Sequence, residues 1–294
     1  MGTKTRVTAR RAEKSKIKIL NSELFVLPWL VHGFSTRLGG YSALYGGSSL
    51  NLGFTKDDSR AAVERNRDEF MRALGAGSAH WRLATQRQVH SDVIHYVTAT
   101  DGHPTGDGLI TDVPGLLLGV QTADCLPVLL VDAKRRAVGA FHAGWRGTLR
   151  RIVEKGVGEM RRQFGSDPAD LRAAIGPGIH SCCYQVGEEV REKFQSQFAY
   201  AAELFREARE SNPVHEKYPL LFLTARAPGH GPEETQLYLD LVAANTRQLL
   251  AAGVPAGNIS ASPLCTSCRT DLLFSYRKEK GVVGRLMSVA GIRP

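Results

Sequence analysis

Two near-continuous apolar runs constrain the fold of this 294-residue chain more than any other feature. The first is GLLLGVQTADCLPVLLVD, from Gly115 to Asp132, and the second is RRAVGAFHAGWRG, from Arg135 to Gly147. A strand with one face in water alternates apolar and polar residues, whereas a strand covered on both faces is apolar throughout. The two runs therefore predict strands of a sheet that other layers cover on both sides.

Amphipathic segments can supply those covering layers. Apolar residues recur at helical spacing in DDSRAAVERNRDEFMRALGA, with N-cap residues from Asp57 to Ser59 and a glycine stop at Gly75. Two more helices are predicted, in TLRRIVEKGVGEMRRQFG and LYLDLVAANTRQLLAAGV. Strands and helices do not alternate strictly, which favours an α+β fold, a layered α/β sandwich with mixed sheets and flanking helices. We expect a single domain over residues 20–294, with a surface excursion near 205–233.

The N-terminus is strongly basic. Much of the formal net charge of +9 lies between Lys4 and Lys18, where seven basic residues stand against Glu13 alone. This charge pattern predicts that residues 1–19 form a disordered, solvated arm. The alternatives are an RNA-binding arm and an organellar targeting segment. Elsewhere the basic residues are scattered without interleaved aromatic residues, which argues against a nucleic-acid partner. A positive surface also suits an anionic substrate such as phosphate.

Cysteine usage and hydropathy indicate the compartment. No apolar run reaches the roughly 18 residues that a membrane span needs, and the N-terminus lacks the apolar core of a secretory signal. The five cysteines, with Cys182 and Cys183 adjacent, are an odd number and indicate thiols. We therefore expect a soluble, cytoplasmic protein with no membrane partner. The CTSC stretch from Cys265 to Cys268 has zinc-knuckle spacing, but the sequence offers no second pair to complete four ligands.

Three chemically active side chains stand at the ends of apolar or β-rich runs. His90 ends QVH, Cys125 ends TADC, and His142 precedes the glycines of HAGWRG. Taken singly, a strand-end histidine or a buried cysteine is usually a core residue. Together, two imidazoles and one thiolate from neighbouring strands would leave one position open on a tetrahedral zinc ion, the arrangement of a catalytic metal site. The same residues also suit a Cys–His nucleophile pair without metal, with Cys125 as the catalytic residue.

A series of motifs resembles a known family in content and order: HGFSTRLGG, SLNLG, QVH, GDGLIT, TADCLPVLL, FHAGWRG, IGPGIHSCCYQVG, DLVAANTRQLLAAGV and CTSC followed by FSYRKEKGVVGR. Over about Val31 to Arg285 the chain is similar to the YfiH/DUF152 family. That family was long labelled a laccase-like polyphenol oxidase and is now regarded as a purine nucleoside phosphorylase with adenosine deaminase activity. The resemblance implies one catalytic domain in which His90, Cys125 and His142 bind zinc.

Other residues in these motifs are candidates for binding the substrate. Arg37 lies beside a glycine pair and Arg146 at a predicted helix start, where each would suit phosphate or be an ordinary surface arginine. Asn51 can hydrogen-bond a sugar or base, or form an Asx turn. Cys183 follows a glycine-containing loop that can approach a ligand, although neighbouring cysteines are most often packing residues. The resemblance alone places Arg277 within reach of substrate.

Asp124 is the second candidate catalytic residue, because it adjoins Cys125. It would serve as a proton shuttle or as a partner of the metal site, although strand alternation can equally point it away. Three parts of the chain depart from the family pattern: the basic arm, the stretch from Ser211 to Pro232 and the extreme C-terminus. These departures leave the partners and loop shapes open.

The function expected from these residues and the resemblance is that of a zinc-dependent purine nucleoside phosphorylase. It would convert adenosine, inosine and 5′-methylthioadenosine with phosphate to free base and ribose 1-phosphate, and it would also deaminate adenosine. The alternatives are a copper-dependent polyphenol oxidase and an accessory protein linked to the cell envelope. A multicopper relay needs histidines in H-x-H pairs, and none of the nine histidines forms one. We expect a monomer whose partners are purine nucleosides and phosphate.

Overall fold

The strands predicted from the two apolar runs form the centre of the fold. A computed structural model describes three stretches of the chain, residues 17–100, 102–209 and 235–294. The first run divides into β7 (Leu116–Thr122) and β8 (Leu126–Asp132), and the second forms β9 (Ala137–Ala143). Every residue of these strands is buried except Gln121, which is half-buried. The continuous apolar pattern is explained by cover on both faces.

The strands of the described residues are arranged in two large sheets and a small one. The first sheet contains β1 (Ile19–Leu20), β2 (Leu30–Ser35), β4 (Arg82–Ala84), β7 and β15 (Leu286–Ile292), in the order β1-β2-β15-β7-β4. The second contains β5 (Ile94–Tyr96), β6 (Gly108–Thr111), β8, β9, β10 (Leu171–Ile175) and β14 (Ile259–Ala261), in the order β14-β10-β8-β9-β6-β5. The small sheet contains β11 (Gln185–Val186), β12 (Phe205–Arg209) and β13 (Thr235–Leu239), in the order β11-β13-β12. A short strand, β3 (Leu38–Ser42), bridges to Ser49.

The two large sheets pack face to face, and helices cover their outer faces. The helices of the described residues are α1 (Arg60–Ala73), α2 (Trp145–Leu149), α3 (Ile152–Phe164), α4 (Glu188–Gln195) and α5 (Leu241–Ala251). Leu118 of β7 and Leu129 of β8 belong to the apolar layer between the sheets. Helix α1 covers the first sheet through Phe70, while α3 and α5 cover the second. This four-layer arrangement, in which both large sheets mix parallel and antiparallel pairs, confirms the predicted α+β sandwich.

Two of the predicted helices differ from the structure: one is divided into two helices, and the other starts later than predicted. The predicted helix TLRRIVEKGVGEMRRQFG is divided, because Arg151 adopts a left-handed conformation with φ of 64° between α2 and α3. The carbonyl of Thr148, which a continuous helix would pair with the N–H four residues on, accepts a hydrogen bond from the buried Gln248 side chain at 2.7 Å. The helix predicted from Leu237 starts only after Asp240, whose carboxylate caps α5, because the preceding residues form β13.

Two predicted segments lie largely outside the described residues. Of the basic arm predicted over 1–19, the structure describes 17–19, where Ile17 and Ile19 pack against the cluster under α1. The excursion predicted near 205–233 begins with β12, and residues 210–234 lie outside the described residues. Among the helices that the structure describes, none has the length and apolar character needed to cross a membrane.

His32 of β2 makes the fold sensitive to acid. Its Nε2 accepts a hydrogen bond from the backbone N–H of Ser22 at 3.1 Å, and its ring packs edge-on against Phe25. Burial lowers the pKa of His32 to about 4, so the ring is neutral in the folded chain at neutral pH. Protonation would place a proton on the nitrogen that accepts the Ser22 hydrogen bond.

We expect the stability difference between the natural chain and His32→Gln to depend on pH. The folded pKa lies below the usual 6.5, so the contribution of neutral His32 is complete above pH 6.5 and is lost as pH falls towards 4. The loss is on the order of 2 to 3 kcal/mol. Denaturant unfolding of both proteins at neutral and acid pH measures it, because the glutamine does not titrate. Parallel pH profiles for the two proteins would contradict the prediction.

Candidate metal centre

Three segments bring His90, Cys125 and His142 to one place at the edge of the sandwich. His142 lies near the end of β9, Cys125 lies in the turn where the chain crosses from β7 to β8, and His90 lies between β4 and β5. The His90 Nε2 and Cys125 Sγ atoms are 3.7 Å apart, and the ligand atoms of all three residues lie within 4.8 Å of one another. The structure thus brings together the three residues that the sequence analysis grouped.

A buried aspartate that the sequence analysis did not identify orients this group. The Asp107 carboxylate accepts a hydrogen bond from His142 Nδ1 at 2.8 Å and from the backbone N–H of His90 at 3.0 Å. Its other oxygen accepts the N–H and the hydroxyl of Ser91. Burial would raise the pKa of Asp107, but the hydrogen bonds from His142 and Ser91 lower it to about 2. The ionised carboxylate binds the Nδ1 proton of His142, so Nε2 is the nitrogen that would bind a metal, and the metal would displace the second proton that the raised pKa keeps on the ring.

The electrostatics of the group favour a thiolate at Cys125. Burial opposes ionisation, but the His142 imidazole and hydrogen bonds with both histidines lower the Cys125 pKa to about 6. Burial likewise opposes protonation of His142, yet the charges of Cys125 and Asp107 raise its pKa to about 9. A thiolate is the form of cysteine that binds metals. A Cys–His nucleophile pair needs one imidazole, and here two flank the sulfur, so one thiolate and two imidazoles fit a metal with a fourth position open.

The backbone around the site has little space and some strain. A Cβ at Gly144 would lie 2.8 Å from Cys125 Sγ and 2.9 Å from His90 Cδ2, so this position requires glycine. His90 and Asp124 adopt positive φ angles of 59° and 93°, a conformation that is uncommon for non-glycine residues and costs them backbone energy. The close packing fixes the ligand side chains before any metal binds.

His90, Cys125 and His142, called the metal group below, line a cavity of about 590 Å³. Its charged lining residues are Asp124 and the arginines Arg146, Arg277 and Arg285, in addition to the metal group. The Arg146 guanidinium lies 4.4 Å from the Trp145 ring. An excess of positive charge in a partly enclosed space attracts anions.

Arg37 does not lie in this cavity. Its guanidinium donates to the carbonyls of Thr270 and Tyr45, both at 2.7 Å, and forms an ion pair with Glu279 at 2.9 Å. These contacts engage both terminal nitrogens of the guanidinium. Of the two roles considered for Arg37, these contacts favour the structural one: Arg37 fastens neighbouring loops together.

Asn51 and Cys183 are also absent from the lining. Asn51 is fully buried, and its Oδ1 accepts the N–H of Gly53, so its alternative role in an Asx turn is the one observed. The sulfur of Cys183 lies 3.4 Å from that of Cys268, in a second cluster. Neither residue is placed to bind a substrate in the cavity.

Asp124 lines the cavity, but its carboxylate is already engaged. One oxygen accepts the hydroxyl of Thr266 and the other accepts the backbone N–H of Arg277, both at 2.6 Å. The geometry favours a positioning role over the predicted proton shuttle, because the two carboxylate oxygens hold Thr266 and the backbone of Arg277.

Several lining residues escaped the sequence analysis. Gln86 is buried, and neither its amide nitrogen nor its amide oxygen has a hydrogen-bond partner among the described residues. The buried hydroxyl of Thr122 also has no hydrogen-bond partner among the described residues. Arg285 is the last residue of GVVGR, part of a motif that carried the family resemblance. Its place in that motif was the signal in the sequence that could have identified it as a site residue. Nothing local in the sequence distinguishes Gln86 from a surface glutamine.

Comparison with known proteins identifies the family. A family model described as multi-copper polyphenol oxidoreductase laccase matches residues 31–293. The chain belongs to this family, the YfiH family. It is similar to the purine nucleoside phosphorylase YlmD of Geobacillus stearothermophilus, with 34% identity over 90% of this chain and 94% of that protein.

Two other YfiH-type proteins extend the comparison. An adenosine deaminase, RL5, from an unknown prokaryotic organism is 33% identical over 84% of this chain and 88% of its own length. The crystal structure of a Bacillus licheniformis hypothetical protein, YfiH, superimposes with a TM-score of 0.75 and 34% identity, covering 90% of this chain and 93% of that one. The four-layer sandwich is therefore the fold of a YfiH-type protein.

Replacing Gly144 by alanine should disrupt the metal centre of this YfiH-family chain without changing its charge. The added methyl group would press against Cys125 and His90, and we expect metal affinity to fall about tenfold or more. Gly158→Ala in α3 is the matched control, because a Cβ there meets nothing within 4 Å. It should keep the metal and stabilise the helix by up to about 1 kcal/mol. Zinc competition against a chelator compares the two variants, and equal affinities would contradict the prediction.

Proposed function

We propose that this chain is a zinc-dependent purine nucleoside phosphorylase that also deaminates adenosine. The observation that carries the proposal is that one cavity holds a Cys/His₂ group with an open position and three arginines. An open metal position suits attack by an activated water, and an arginine cluster suits phosphate. Similarity to proteins named purine nucleoside phosphorylase and adenosine deaminase, at 34% and 33% identity, supports both activities.

The arginines would bind the phosphate that attacks the sugar. Asp124 is the one carboxylate among the described lining residues, which also include Arg146, Arg277 and Arg285, so the arginines outnumber the carboxylates of the cavity. Arg146 is exposed at the cavity and stacks on Trp145, so its guanidinium is available for a bidentate contact. Holding phosphate against the anomeric carbon supplies proximity, and the arginines neutralise its charge.

Gln86 would recognise the purine base. Its unpartnered amide offers one donor group and one acceptor, and the edge of adenine that carries N6 and N7 offers the complementary pair. The hydroxyl of Thr122 adds a further unpartnered group on the lining. Buried polar groups without partners are costly, so a bound base that pairs with them gains that energy on binding.

Zinc is the metal we propose for the Cys/His₂ group. When bound, it would act as a Lewis acid and lower the pKa of a water in its fourth position, which is the requirement of hydrolytic deamination. Asp107 would hold His142 in the ligating tautomer throughout. Tyr184 lines the cavity, and burial raises the pKa of its phenol, so it stays protonated and can donate a hydrogen bond to the substrate.

The copper oxidase named in the family model is the second candidate. A multicopper relay needs several histidine-rich sites. Among the residues that the structure describes, the other group able to hold a metal consists of four cysteines and contains no histidine. The geometry therefore favours the nucleoside chemistry.

We also propose a cytoplasmic monomer. All five cysteines are free thiols in the structure, which suits a reducing compartment.

The first test is incubation of the purified chain with adenosine, inosine and 5′-methylthioadenosine, with and without phosphate. Chromatography should show free base and the ribose 1-phosphate product (the 5-methylthio form from 5′-methylthioadenosine) only with phosphate, and slow conversion of adenosine to inosine in both cases. Removal of metal with a chelator should abolish both reactions, and zinc should restore them. Base release at the same rate with and without phosphate would indicate a hydrolase instead. Phenol oxidation that only copper restores would favour the copper oxidase.

The second test separates the two reactions within one cavity. Arg146→Met should slow phosphorolysis by roughly 10- to 150-fold, the equivalent of about 1.5–3 kcal/mol for a lost charge-assisted contact, and should spare deamination, which needs no anion. Arg161→Met, at an exposed position of α3 outside the cavity, is the matched control and should change neither rate. Equal losses of both activities in Arg146→Met, with folding intact by circular dichroism, would show that the phosphate binds elsewhere.

A further inference from the structure

Four of the five cysteines meet behind one wall of the cavity. Cys182 and Cys183 lie in the turn that follows His180, and Cys265 and Cys268 lie in the turn CTSC. The parallel bridge between Gly178 and Cys265 brings the two turns together. The fold therefore supplies the second cysteine pair that the CTSC turn lacks in sequence. This pair is Cys182 and Cys183, from a distant part of the chain.

The spacing of the sulfurs matches a tetrahedral metal. Cys268 Sγ lies 3.6 Å from that of Cys182 and 3.4 Å from that of Cys183, and all four sulfurs lie within 4.8 Å of one another. Four thiolates at a zinc–sulfur distance of about 2.3 Å have their sulfurs about 3.8 Å apart. A disulfide would need about 2.05 Å and would join only two of the four.

The surroundings of the cluster also suit bound thiolates. The sulfur of Cys265, the buried member, accepts a hydrogen bond from the backbone N–H of His180 at 3.5 Å. The Arg206 guanidinium reaches the carbonyl of Ser181 in the same turn, which places a positive charge beside the cluster. Backbone donors and a nearby cation offset the negative charge that four thiolates leave on a divalent ion.

The cluster is separate from the catalytic group but mechanically connected to it. Ile179 and Tyr184, on either side of the Cys182–Cys183 pair, line the cavity. Thr266, between Cys265 and Cys268, donates its hydroxyl to Asp124. A metal at the cluster would hold both turns in the positions that shape the cavity wall.

We propose that Cys182, Cys183, Cys265 and Cys268 form a second, closed metal site that binds zinc and serves a structural role. Four protein ligands leave no position for water or substrate, in contrast to the Cys/His₂ group. The proposal does not depend on the nucleoside chemistry proposed above, and the expected zinc counts assume only that the Cys/His₂ group also holds zinc.

Zinc stoichiometry tests the proposal directly. Elemental analysis of protein purified without chelator should give two zinc ions per chain for the natural protein and one for Cys125→Ala. Cys268→Ser, which alters an exposed member of the cluster, should also give one, and the double variant none. A natural protein with a single zinc, which Cys125→Ala removes entirely, would overturn the proposal.

Cobalt provides a second measurement that leaves the cysteine cluster intact. Cobalt-loaded Cys125→Ala protein should show the intense thiolate charge-transfer and visible bands of a tetrahedral four-sulfur site. The four cluster thiols should resist alkylation until a chelator is added. Thiols that react at once, or a disulfide found among them by mass spectrometry of freshly purified protein, would refute a metal at the cluster.

Discussion

The hydrogen bonds of the Asp107 carboxylate are the interaction on which the site depends. This fully buried group accepts from the ring of His142 on β9 and from the backbone at His90, and so joins two segments far apart in the chain. Without it, His142 would be free to change tautomer and the strained backbone at His90 would lose its partner. Because an unpaired buried carboxylate is costly, the same contacts that orient the ligands also stabilise the junction between the segments.

The site also depends on the short connection by which the chain crosses from one large sheet to the other. β7 belongs to one sheet and β8 to the other, and only three residues, 123 to 125, connect them. So short a connection between packed layers forces Asp124 into its positive φ and presents Cys125 at the sandwich edge. The thiol is therefore positioned by the strands on either side, β7 and β8.

The sequence predicted the features that follow from local pattern. Continuous apolar runs predicted the buried strands, and the family motifs singled out His90, Cys125 and His142. Asp107 stands in the family motif GDGLIT, but its role escaped because nothing local shows that its partners are His90 and His142. The contacts of Arg37 were not predicted because its partners Thr270 and Glu279 lie in a distant loop. The helix division at Arg151 likewise depends on a contact from another helix, through Gln248. Long-range partners of this kind leave no periodic signal.

The meeting of the two cysteine turns has a consequence for the length of chain between them. Cys183 and Cys268 are 85 positions apart, so any bond through the cluster closes a long loop. The entropy of closing a flexible loop grows only with the logarithm of its length, by about 0.6 kcal/mol per doubling. Insertions or deletions between the turns therefore change the cost of closure very little. Closure therefore sets no narrow limit on the length of the connections between the strands and helices of this stretch, and the elements that pack in the core are fixed by their own contacts.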